Sequence, residues 1–318
     1  MRGFALLTSI VAVSSAFAAA PSAHAQQFPS KPVTLLVGFQ PGGSTDAVAR
    51  VLARSMGESL GQPVVVENKG GAEGALCASQ VAKAAPDGHL LCMSTQSTFT
   101  SVPHQSQVDY NFDDLRYVAR IGDYSLAYVV KKGTAFQDWK SLVAHGKKAG
   151  ELAYGANTQV EKLLAAHVGK KEGFKVKSLP YKGGSEIMKD ILGEHIQFGS
   201  SGGAYFPHVD AGTMTVIAAP TSKRLQAFPN APTLLELGYD FAIDIFIVVA
   251  APKRTPDATV AKLEQAFAKA VKDPEYIDLV TKKVRMEINF MAEKELTEFL
   301  RRDAERMGNL IKTMREAS

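Results

Sequence analysis

The chain has 318 residues, 46% of them hydrophobic and 21% charged, an ordinary balance for a globular protein and enough length for two domains. Its formal charge of +4 is the difference between 36 basic and 32 acidic residues. These are well mixed along the sequence, so there is no basic footprint for nucleic acid.

At the start, Arg2 precedes an apolar segment from Phe4 to Ala20, and Ala23-His24-Ala25 forms an A-x-A site. This pattern predicts a secretory signal peptide over residues 1–25, cleaved after Ala25, and a periplasmic location. A membrane anchor would need about 20 apolar residues in a row, and Thr8, Ser9, Ser14 and Ser15 interrupt this run. No later stretch could span a bilayer, so the mature chain is not expected to be membrane-inserted.

The stretch Val33 to Leu52, VTLLVGFQPGGSTDAVARVL, carries the strongest local signal. A short apolar run predicts a buried strand. Pro41-Gly42-Gly43 then predicts a turn, and Ser44 or Thr45 is a candidate cap for the helix that follows, with Asp46 suited to its positive end. Such a unit aims free backbone N–H groups at one point, where an anion fits. Neither Gly-x-x-x-x-Gly-Lys-Ser/Thr nor Gly-x-Gly-x-x-Gly occurs here, which favours a carboxylate over a nucleotide.

Further along, Gln62–Glu67 reads as a strand, Gly70–Gly74 as a flexible loop, 75–84 as a helix and 89–94 as a third strand. This alternation predicts a parallel, doubly wound sheet with its ligand beyond the carboxyl ends of the strands. The Gln96–Thr98 segment reaches the same rim. Cys77 and Cys92 read better as two small buried side chains than as a disulfide, although an exported compartment permits the bond. The pattern restarts with a strand at 126–131 and a helix at 139–148. Next, Leu152–Gly155 leads into Ala156-Asn157-Thr158-Gln159 and a helix from Val160, with Asn157 or Thr158 as its cap. Two strand, loop and helix units, one per half, could face one another across a cleft. Strands at 195–199, 216–219 and 246–250 follow, and helices at 256–271, 274–283 and 293–314.

An enzyme reading exists. Gly199-Ser200-Ser201-Gly202-Gly203 fits Gly-x-Ser-x-Gly, the nucleophile elbow of serine hydrolases, with Ser201 as nucleophile. That fold needs an acid and then a histidine downstream. Only His208 follows Ser201, with no acid between them, so the order fails. The remaining histidines are scattered and share no metal-binding motif. No metal or cofactor is expected. Lys182, in YKGG, reads as a surface residue beside a tight turn.

The runs FPSKPVTLLVGFQPGGSTDAVAR, GQPVVVENKGGAEGA, AKAAPDGHLL, LPYKGGSEIMKDILGEHIQFG and SKRLQAFPNAPTLLELGY together resemble the extracytoplasmic receptors of tripartite tricarboxylate transporters, the Bug-type receptors. The resemblance covers the mature chain nearly end to end. It implies an α/β, two-lobed periplasmic binding protein of type II without catalysis: two doubly wound sheets, an interlobe ligand cleft and two crossover strands. Lobe 1 would be 26–127 plus 248–318, and lobe 2 128–247. The implied partners are a small organic carboxylate (a di- or tricarboxylate, an acidic amino acid or an aromatic acid) and the integral membrane subunits of a transporter, the receptor itself acting as a monomer. A receptor presenting its liganded form to a membrane signalling kinase is the alternative, which the sequence does not separate. Carried over by position, Phe39, Gly43, Ser44, Thr45 and Asp46 match the family's first-lobe loop and would bind the ligand there. Gln96, after the third strand, is a further candidate on the same rim, and Asn157, Thr158, Gln159, Ser200 and Ser201 are the polar candidates of the second lobe, where the family pattern is not kept. Where relatives place a Gly/Ser-rich loop and then a histidine, this chain has Ala156 to Leu163 without either, so its ligand is expected to be unusual.

Overall fold

The computed structural model describes residues 28–181 and 183–316. The expected signal peptide, its cleavage point and Lys182 lie outside them. In chain order, β1 (Val33–Val37), α1 (Ser44–Leu60), β2 (Val64–Asn68), α2 (Ala75–Ala82) and β3 (Leu90–Thr95) are followed by the short helices α3 (Gln96–Thr100) and α4 (Val102–Gln105) and the strand β4 (Leu115–Asp123). Next come β5 (Ala127–Lys131), α5 (Trp139–Ala149), β6 (Glu151–Ala156), α6 (Gln159–Glu172), β7 (Lys175–Pro180), α7 (Gly184–Leu192), β8 (Phe198–Ser201), α8 (Phe206–Asp210) and β9 (Met214–Ala218). The chain ends with β10 (Phe246–Pro252), α9 (Asp257–Ala270), α10 (Pro274–Asp278), β11 (Met291–Ala292) and α11 (Glu293–Glu316).

Two sheets organise these elements, one in the order β11-β4-β10-β3-β1-β2 and one in the order β7-β6-β8-β5-β9. Each has a parallel heart: β1 pairs in parallel with β2 and β3, and β6 with β7 and β8. Both sheets are mixed, because β10 runs antiparallel to β3 and β4, and β5 antiparallel to β8 and β9. Val33, Leu35, Leu36 and Val37 of β1 are almost completely buried, as befits a central strand covered on both faces. On one face α1 buries Val48, Leu52 and Met56 at helical spacing against Leu263 and Phe267 of α9. It stops at Gly61, whose φ of 71° is the left-handed geometry of a helix C-terminus.

Strand pairing carries the chain from the first sheet to the second between Asp123 and Ala127, and back between Ala218 and Phe246. The two passages are bonded to each other, since Tyr124 N–H donates to Ile245 O at 2.8 Å. Beside them Arg120 is 6% exposed; it pairs with Asp123 at 2.6 Å and lies 4.0 Å over the Phe246 ring. The last helix links the halves a third time: Leu296 and Leu300 of α11 pack in the cluster around β4 and β10, while Met307 and Leu310 reach the second-sheet cluster.

Several expectations change. The nine residues of β4 and the six of β7 form strands that the sequence did not announce. Neither Ser44 nor Thr45 caps α1: the N-cap is Gly43, with no side-chain bond. Cys77 and Cys92 are joined in a disulfide, not separate; α2 lies on β3 so that their Cα atoms are 5.8 Å apart, within the span a bridge requires.

Candidate functional site

The loops after the parallel strands of the two sheets meet. On the first-lobe rim, the turn after β1 is held open by Asp46, which points back from the first turn of α1. Its Oδ2 accepts from Gly42 N–H at 2.9 Å, and Arg50 and Asn68 bind the same carboxylate at 2.9 and 3.0 Å. Burial pushes the Asp46 pKa up, but the hydrogen bonds from Arg50, Gly42 and Asn68 and the Arg50 charge outweigh it and hold the carboxyl below its usual range. Gly42, with φ 82°, supplies the left-handed residue this turn needs. Gly43 and Ser44 are exposed at its tip. There the first N–H groups of the 17-residue α1 lack intrahelical acceptors by construction. Thr45 is buried and shares a 2.7 Å hydrogen bond with Tyr124 Oη at the crossing between sheets.

The loop after β2 lies beside it. Thr98, in α3 just beyond β3, donates to Glu73 O at 2.7 Å and shares a bond of the same length with Ser94. Gly74 is packed so closely on these two hydroxyls that a Cβ would collide with both. Ala72 and Glu73 adopt positive φ angles of 48° and 53°, an uncommon state for residues with a side chain. From there the Glu73 carboxylate crosses to the other lobe and accepts from Gln159 N–H at 3.2 Å.

On the second-lobe rim, Thr158 caps α6 as expected, in a capping box with Glu161. Glu161 is 2% exposed. Its Oε2 accepts from Asn157 N–H, Thr158 N–H and Thr158 Oγ1 at 3.1, 2.8 and 2.9 Å, and its Oε1 from Ser200 Oγ at 2.7 Å. Burial raises its pKa, against these four donors.

The expected ligand-facing residues therefore divide. Phe39, Gly43, Ser44, Asn157, Thr158 and Gln159 have surface on the two rims. Asp46, Gln96, Ser200 and Ser201 are buried with partners inside the protein. Gln96 donates to Asp244 O at 2.6 Å and accepts from Phe246 N–H, fastening the second crossing. Ser200 belongs to the Glu161 cluster. Ser201 Oγ accepts from Ala204 N–H at 3.1 Å in a local turn. Sequence reasoning missed Glu73, Glu161 and Tyr124. Thr158-x-x-Glu161 is a readable capping box, and a glutamate set among glycines in GGAEG was a visible oddity; nothing marked Tyr124.

The lobes touch in this structure. A cavity behind these loops, lined by Gln96, Ser97, Thr158, Asp244 and Arg306, measures about 10 Å³, the size of one water. A larger depression of about 310 Å³, lined by Gln137, Phe228 and Pro232 on the second lobe, includes none of the loop residues. No helix among the described residues is long and apolar enough to cross a membrane.

Comparison with known proteins agrees with this two-lobed fold. Residues 48–315 match the model of the tripartite tricarboxylate transporter family receptor. Protein BugT of Bordetella pertussis is 32% identical, the match covering 86% of this chain and 87% of that protein. The solved structure of the periplasmic binding protein BugD superposes with a TM-score of 0.77 at 27% identity, covering 90% of this chain and 98% of that one. MatC from Rhodopseudomonas palustris, solved with bound malate, shares the fold at 23% identity with a TM-score of 0.76 over 89% of this chain and all of that one. By the family model and by its likeness to BugT and BugD, the chain belongs to the tripartite tricarboxylate transporter family of receptors, the Bug-type solute-binding proteins, which are not enzymes.

Proposed function

We propose that the protein captures a small organic carboxylate in the periplasm, between its lobes, and delivers it to the membrane subunits of a tripartite transporter. The observation that carries this is the facing of two helix starts, α1 and α6, each at the carboxyl end of a parallel strand, with Glu73 and Gln159 in contact between them. A helix N-terminus contributes roughly 0.3–2 kcal/mol to a bound anion and each charge-assisted hydrogen bond about 1.5–3 kcal/mol. The malate seen in MatC is in keeping with a carboxylate ligand. The strand pairing supports a first lobe of residues up to Asp123 and from Phe246 onward, and a second lobe between them. Export would follow removal of residues 1–25. Ligand would enter with the lobes apart, and closure would turn on the bonded passages at Tyr124 and Ile245.

A thermal-shift screen of the chain from Gln26 onward against organic acids and their neutral amides tests this reading. A carboxylate at about 100 times its dissociation constant stabilises the folded form by roughly 2.7 kcal/mol, a shift of several degrees at this size. Small-angle scattering would show compaction with the same ligand. Equal response to acid and amide would refute the proposal.

A further inference from the structure

We infer that Glu73 sets the charge of the ligand, which carries a carboxylate at one end and an ammonium or other N–H donor at the other. This rests on the reading of the interlobe cleft as a carboxylate site. The second-lobe helix start is already filled from within: Asn157 and Thr158 N–H groups are held by Glu161, and Gln159 N–H by Glu73. A second ligand carboxylate would find those three donors taken and two protein carboxylates beside them. What the rim offers instead is acceptors. Glu73 Oε2 and Asn157 Oδ1 are both buried and without a hydrogen-bond partner, and a buried acceptor without a donor is costly.

The backbone points the same way. Ala72 and Glu73 sit consecutively at positive φ, where glycine would rest without strain. Holding a charged side chain there is the kind of local strain found at ligand-contacting segments. Burial raises the Glu73 pKa; the Gln159 amide lowers it, Glu161 raises it and Lys162 lowers it. Among the described residues no ion pair joins Lys162 to Glu73, so the carboxylate is open to a cation from the ligand. At the opposite rim, the exposed Gly43 and Ser44 at the N-terminus of α1 remain for the ligand's own carboxylate.

The test compares diacids with the amino acids that replace one carboxylate by an ammonium: succinate with β-alanine, and adipate with δ-aminovalerate. Each is titrated calorimetrically into the mature protein and into the Glu73→Gly and Glu73→Gln variants. Glycine suits the backbone at this position, and glutamine keeps the side-chain size without the charge. The expected result is a preference of about tenfold or more for the amino acid of at least one pair in the parent protein, the worth of a hydrogen bond to a charged group. That preference should disappear or reverse in both variants. If the diacids bind the parent as well as their amino counterparts, or the preference survives in both variants, the inference falls while the carboxylate reading stands. If none of the four binds any of the three proteins, the inference falls, and the carboxylate reading is decided separately by the screen of organic acids against their amides.

Discussion

Replacing Glu161 by alanine tests whether an internal carboxylate holds the start of α6. In the native fold one oxygen receives two backbone N–H groups and a threonine hydroxyl, and the other a serine hydroxyl. The hydroxyls can rotate to other acceptors, Ser200 toward Tyr154 for example. The N–H groups of Asn157 and Thr158 cannot. Two stranded N–H groups at about 1–3 kcal/mol each give roughly 2–6 kcal/mol. Relief of the buried charge offsets part of this, leaving about 3 kcal/mol. At about 2–4 °C per kcal/mol for a chain of this order of size, the melting temperature falls by roughly 6–12 °C. Glutamine keeps a carbonyl oxygen for both N–H groups and should cost only about 1 kcal/mol. The pH dependence has a definite sign. Burial raises the folded-state pKa of Glu161, so its contribution to stability is complete below the unfolded value of about 4.3 and is lost as pH rises through the folded value. The gap between the parent and Glu161→Gln therefore widens on acidification from neutral. Calorimetric melting across that range decides it. An alanine variant melting within about 2 °C of the parent would show that the helix start does not depend on this carboxylate.

Other substitutions address the remaining supports of the site. Thr45→Val removes the partner of Tyr124 Oη at the crossing and should lower the melting temperature by roughly 2–4 °C, about 1 kcal/mol; an unchanged value would dismiss that bond. Asp46→Asn should destabilise the protein by about 1 kcal/mol at neutral pH, the half-exposed Arg50 limiting the loss. Because hydrogen bonding lowers the folded-state pKa of Asp46, its contribution is present above the unfolded value of about 3.9 and disappears as pH falls through the folded one, so the two melting curves should converge in acid. The double variant Cys77→Ala with Cys92→Ala opens a loop whose ends are 15 residues apart and should cost about 3 kcal/mol; an equal loss on reducing the parent protein with a thiol would attribute it to the bond.

The parallel heart of the first sheet, and β6 and β8 of the second, were legible because buried strands and amphipathic helices write different periods into the sequence. β4 was not, because Arg116 and Arg120 break its apolar pattern. Their charges are met only in the folded state, by Asp257 and Glu293 for the first and by Asp123 and the Phe246 ring for the second. β7 is an edge strand beside β6 with Lys175 and Lys177 exposed, so it has no apolar run to announce it. The insertion of β10 antiparallel between β3 and β4 depends on long-range pairing, which no local window contains. At the site, the loops and the Thr158 cap could be read from residue type. Which polar groups face the cleft could not: Ser200 and Ser201 look like ligand hydroxyls in sequence, and their bonds to Glu161 and Ala204 appear only once the chain is folded.

The last helix has a consequence for how far the lobes can part. α11 is continuous from Glu293 to Glu316, and a helix resists bending over so few turns far more than a loop does. It is fixed in the first lobe by Leu296 and Leu300 and in the second by Met307, Leu310 and the 2.7 Å bond from Arg306 to Ala242 O. If the lobes part as proposed, opening would either turn about this rod or peel its final turns from the second lobe. The angular range is then governed by a handful of contacts near the C-terminus, distant in sequence from both rims, and loosening them would shift the balance between open and closed forms without altering any group that meets the ligand.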